Sequence, residues 1–146
     1  MKLKIYKYIL LCKPMKIEDH LRNIKESFEV LNESIQKGVV ERQRNIGFNA
    51  SVASVEMLEV FLHKNNLINP GSILKHEWFS SARRANEKLS FDFQDKEKII
   101  GLLVDIESKR NILCYGRPQP AEIIEAVLDS FNKIKALFEE RGLKWS

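Results

Sequence analysis

A chain of 146 residues, 44% hydrophobic and 30% charged with only 6 Gly and 4 Pro, is long enough to bury one core unaided, which excludes a disordered, collagen-like or two-domain protein. No apolar run approaches the roughly 18 residues of a spanning helix, and Cys12 and Cys114 are too few for a disulfide framework, so a soluble, cytoplasmic protein is expected. The net charge of +4 is local: residues 51–146 carry 14 basic and 14 acidic groups and residues 1–50 carry 10 and 6, so charge by itself does not argue for nucleic acid.

Residues 1–16 form a basic tail in which Lys2, Lys4, Lys7, Lys13 and Lys16 all precede the first acid, Glu18. Its apolar stretch, Tyr8 to Cys12, is shorter than a signal core and lacks the small residues that signal cleavage needs. An alternative is that Met15 is the natural start, because a clean helical pattern begins immediately after it. From Ile17 to about Gln36, Ile17, Leu21, Ile24, Phe28, Leu31 and Ile35 are spaced as one stripe of a bundle helix, and Gly38 marks its stop. A second helix is predicted from about Glu41 to His63. Its two apolar rows run through Ala50, Ala53, Met57, Val60 and Phe61, and through Phe48, Val52, Val55 and Leu62. Two rows make it the most buried helix, and Ala50, Ser51, Ala53 and Ser54 allow a neighbour to come close.

The run Asn65-Asn66 to Asn69-Pro70-Gly71 is a turn signal. Ser72 is expected to cap a third helix with Leu74, Trp78, Ala82, Ala85 and Leu89 inward, and Asp95 a fourth in which Ile99, Leu103, Ile106, Arg110 and Leu113 share a stripe. Pro120 suits the first position of a fifth helix through Ile123, Val127, Phe131, Ile134 and Phe138, ending near Gly142. No strand-period segment of useful length lies outside the tail. The expected fold is therefore all-α, an antiparallel up-and-down bundle of four to five helices over residues 17–142.

Arg110 is the anomaly, because its stripe calls for an apolar residue. An unpaired charge in a core costs several kcal/mol, so Arg110 must be paired, face a cleft or lie in a subunit interface. Glu107, one turn earlier, offers an i, i+3 partner. Alternatively the planar fork of guanidinium N–H groups serves a phosphate.

The stretch Glu107-Ser-Lys-Arg-Asn-Ile-Leu-Cys-Tyr-Gly116 resembles the Arg-Asn signature of HEPN-domain proteins. The second-helix segment Asn49 to Leu62, His76 after the following turn, and the closing helix from Pro120 agree in order and spacing, so the resemblance covers about Ile17 to Glu140. It implies a nucleotide-binding helical bundle, a homodimer through the fourth helix, and a minimal nucleotidyltransferase as partner in a toxin–antitoxin-type module. It also implies metal-independent RNA cleavage in members that carry an Arg followed four to six residues later by a His. Here no histidine stands at that distance from any arginine. A related branch with Arg-Asn-x-x-Asp-Tyr fits more closely, with Cys114 in the Asp position and Tyr115 in the Tyr position. The resemblance thus assigns Arg110, Asn111 and Tyr115 to ligand binding. For an enzyme, it makes Arg110 the stabiliser of transition-state charge and His76 or Tyr115 the replacement for the missing His. A structural dimer in which Arg110 merely pairs is the third reading. No metal or other cofactor is expected, since His20, His63 and His76 share no ligand spacing on one helix, and Cys114 reads as an inert thiol.

Overall fold

The computed structural model describes residues 15–145, so the expectations for the rest of the tail and for Cys12 fall outside the described residues. Among the described residues five α-helices follow one another: α1 (Ile17–Lys37), α2 (Gln43–Lys64), α3 (Ala82–Lys88), α4 (Lys96–Tyr115) and α5 (Ala121–Glu140), with a 3-10 turn at His76–Ser80. Among the described residues there is no strand.

The core is organised around α2, which packs on α1, α4 and α5. Apolar residues line almost its whole circumference, and Ile46, Ala50, Ala53, Met57, Leu58, Val60 and Leu62 are fully buried. Each fully buried aliphatic side chain contributes about 1.5–3 kcal/mol, so α2 has the largest share in stability. Contacts fix the helix directions. His20 meets Glu59 and Asn23 meets Glu56, so α1 runs antiparallel to α2. Ser51 meets Glu107, while a Cβ on Gly47 would touch Leu113, so α4 is antiparallel as well. Phe61 packs at a tilt against Phe138, at the far end from the Gln43–Gln119 contacts, so α5 is parallel to α2. Phe28 and Phe131 meet edge to face between α1 and α5. The four long helices form the up-and-down bundle that the periodicities predict.

Several local expectations are corrected. Ser72 caps nothing; the chain stays extended to Lys75, passes through the 3-10 turn, and α3 is a seven-residue helix capped by Ser81, whose Oγ accepts from the Arg84 N–H. Phe79 in the turn fills the core while Ala82 is exposed. The competing force is the packing of Phe79 and Leu74, which a continuous helix from Ser72 would not place together. Asp95 precedes α4 in a left-handed conformation (φ 58°), yet its carboxylate pairs with Arg141 and not with the helix N-terminus. Pro120 lies one position before α5. Ile35 and Phe48, both assigned to apolar stripes, are substantially exposed.

Candidate functional site

The α4 stripe is as the periodicity predicts: Ile99, Leu103, Ile106, Arg110 and Leu113 are all buried. Arg110 is only 6% exposed and Glu107, on the same face, is also buried. Two small residues of α2 let α4 come this close. Gly47 faces Leu113, where an added Cβ would approach the Leu113 Cβ to 3.0 Å. One turn on, the Ser51 hydroxyl donates to Glu107 Oε2 at 3.0 Å.

The other oxygen of Glu107, Oε1, lies 2.8 Å from Nδ1 of His76. A carboxylate oxygen accepts, so Nδ1 is the donor, and in the neutral ring this contact selects the tautomer in which Nε2 is the accepting nitrogen. His76 begins the 3-10 turn, and the backbone leading to it is tied to α2. The Leu74 N–H donates to Glu59 Oε1 at 2.6 Å, and the Ser72 carbonyl lies 3.0 Å from His63 Nε2. A loop residue is thereby fixed against a helix residue 31 positions away.

With both Glu107 oxygens hydrogen-bonded elsewhere, Arg110 receives a counter-charge from it but no hydrogen bond. The closest approach, Nη1 to Oε2, is 3.7 Å, an ion pair without a hydrogen bond. Nε and Nη1 of Arg110 are buried and have no hydrogen-bond partner among the described residues. The guanidinium carbon lies 5.3 Å from the centroid of the Phe48 ring, a cation–π contact of about 0.5–2 kcal/mol that leaves the in-plane N–H groups unused. A desolvated guanidinium with spare donors beside a half-exposed histidine is a constellation suited to an anion.

No family model, curated protein or solved structure matches the chain. The chemistry of the site therefore has to be taken from its side chains. The structure brings Arg110 and His76 to one carboxylate, Glu107. It does not bring Asn111 or Tyr115 there: successive helical residues turn by about 100°, so Asn111 faces about 100° and Tyr115 about 140° from Arg110, and Tyr115 is 79% exposed. Cys114 is half-buried, its Sγ 3.7 Å from the Arg44 carbonyl. Lys75, Arg83, Arg84 and Lys88 are solvent-exposed, with Arg83 paired to Glu87. Phe48 was legible only as a member of an α2 row and Ser51 only as one of its small residues, and nothing in one sequence shows that Phe48 reaches Arg110 or that Ser51 reaches Glu107.

A second polar cluster escapes sequence reading. His20 of α1 is 1% exposed, with Nδ1 2.8 Å from Glu59 Oε2 and 3.8 Å from Glu56 Oε2, and its ring stacks on His63. Burial alone would lower its pKa, but hydrogen bonding to Glu56 and Glu59 and their charges outweigh burial and raise it to about 9. The available signal was Glu56 and Glu59 within an otherwise apolar run of α2, the same kind of anomaly as Arg110. Among the described residues no group of three or more His, Cys, Asp or Glu side chains has a geometry that could hold a metal ion, and no helix is long and apolar enough to cross a membrane.

Proposed function

We propose that this is a HEPN-like protein that binds the phosphate of a nucleotide or RNA at Arg110, and that it partners a minimal nucleotidyltransferase in a toxin–antitoxin-type module as a homodimer through α4. The observation that carries the reading is the unspent hydrogen-bonding capacity of Arg110. Its Nε and Nη1 are buried without partners while Glu107 is committed to Ser51 and His76. A purely structural arginine would be expected to use its donors, since stranded ones cost about 1–3 kcal/mol each. A phosphate oxygen pair matches the guanidinium fork. Exposed Ile112 and Tyr115 offer the apolar surface for a subunit contact along α4.

The His76–Glu107 contact favours a second reading, a metal-independent endoribonuclease. Glu107 holds His76 in the tautomer whose Nε2 can take a proton. In that chemistry Nε2 removes the proton of a ribose 2′-hydroxyl, the 2′-oxygen attacks the adjacent phosphorus, and the bond to O5′ breaks. A cyclic phosphate remains and O5′ leaves with a proton returned by the protonated Nε2 or supplied by water, while Arg110 offsets the charge on the phosphoryl oxygens.

Calorimetric titration with a nucleoside monophosphate, and RNA incubation in EDTA, separate the readings. Binding that is lost in Arg110→Met without cleavage supports the first. Cleavage that disappears in both Arg110→Met and His76→Ala supports the second and displaces the first. Neither binding nor cleavage in the folded wild type rejects both.

A further inference from the structure

Arg110 presents a difficulty for any phosphate ligand: the two unpartnered nitrogen atoms are shielded from solvent. Something has to move before an anion can reach them. Most of the surroundings are held in place. Glu107 is tied to Ser51 and His76, and the backbone before His76 is tied to Glu59 and His63. The approach of Gly47 to Leu113 keeps α2 and α4 together.

Phe48 differs from all of these. Its ring lies over the guanidinium, yet it is 47% exposed, although Val55 and Leu62 on the same row of α2 are buried. Within a helix an aromatic side chain has two accessible χ1 wells, near 180° and −60°. Exchange between them sweeps the ring across the helix surface without moving the backbone, and such flips of exposed side chains are fast. The contact it would give up is a weak cation–π interaction, which a charge-assisted, bidentate phosphate contact outcompetes.

We infer that Phe48 is a side-chain gate over Arg110, closed on the guanidinium in this structure and displaced when a phosphate takes the N–H groups. The displaced ring remains beside the ligand, where it can stack on a base. The gate therefore fits a nucleotide better than free phosphate. This inference rests on the phosphate-binding reading above.

Two measurements test it separately from that reading. The first is labelling by phenylglyoxal with peptide mass spectrometry, using exposed Arg83 as the internal reference. Arg110 is expected to react slowly in the wild type and about 10-fold faster in Phe48→Ala, with adenosine monophosphate protecting it more than inorganic phosphate does. The second is fluorine NMR of 4-fluorophenylalanine placed at position 48. Its resonance is expected to shift on titration with adenosine monophosphate, and not in Arg110→Met. An unchanged labelling rate in Phe48→Ala, or binding of the nucleotide without a fluorine shift, overturns the gate while leaving the phosphate reading intact. Faster labelling with no protection by either probe overturns the phosphate reading and with it the gate, leaving Phe48 a mere cover. A change in the solution mass of Phe48→Ala shows the face to be a subunit contact and overturns the gate as well.

Discussion

Glu107 has three polar neighbours of different kinds, Ser51, His76 and Arg110, and its removal should affect them unequally. Glu107→Ala leaves Arg110 as a buried charge with no counter-ion and strands the Ser51 hydroxyl, so a loss of about 3–5 kcal/mol in unfolding free energy is expected from urea titration. Arg110→Met leaves the buried Glu107 carboxylate without that counter-charge but with both of its hydrogen bonds, so a smaller loss, about 1–3 kcal/mol, is expected. A large loss in Arg110→Met would mean that the ion pair is the purpose of the residue. His20 gives a pH-dependent counterpart. Its pKa is raised in the fold from 6.5 to about 9, so the stability it contributes is fully present below pH 6.5 and is lost as the pH rises through about 9. At about 1.36 kcal/mol per pKa unit this is a few kcal/mol. His20→Gln should be less stable than wild type at pH 6, with most of the difference gone at pH 10.

At the scale of elements, the contact between α2 and α4 is set by small residues, and two glycines allow a controlled comparison. Gly101 lies within α4 with open space where a Cβ would stand, whereas at Gly47 a Cβ meets Leu113. Ala is favoured over Gly in a helix by about 1 kcal/mol, so Gly101→Ala is expected to raise the unfolding free energy by about 0.5–1 kcal/mol. Gly47→Ala should forfeit that gain, because α4 must shift or Leu113 must leave its position; equal gains in the two variants would show that the helices are not closely seated. The α4–α5 connection is tied to the start of α2 by the buried Gln43, which donates to the carbonyls of Val40 and Gln119 and accepts from the Gln119 N–H. Gln43→Leu strands these groups and is expected to cost about 1–3 kcal/mol, read by denaturant titration.

At the scale of the whole molecule, the described residues carry less net charge than the composition of the full chain suggests. Of the chain's 24 basic groups, Lys2, Lys4, Lys7 and Lys13 precede the described residues, leaving 20 to face 20 acidic groups. Any RNA bound at Arg110 is therefore held by few phosphate contacts. For single strands the slope of log K against log salt is about −0.7 per phosphate, so a slope near −1 to −2 is expected for this protein. A much steeper slope would require a broad basic surface and would argue against a site centred on one arginine.

By itself the sequence determined the four long helices and most of their inward faces, though not the exposure of Ile35 and Phe48, because apolar periodicity is a local property that packing must respect. It also determined that Arg110 is out of place on its stripe. Only the tertiary structure decided what Arg110 meets. Glu107 was visible as a neighbour on the same helix, but its commitment to Ser51 and His76 was not. Nor could the sequence show that Phe48 faces the guanidinium and not the core, or that Ser72 leads into an extended segment and a 3-10 turn. The physical reason is common to all of these. They depend on how closely two helices approach and on which partner wins a hydrogen bond across dozens of residues, and no spacing along a single chain records either.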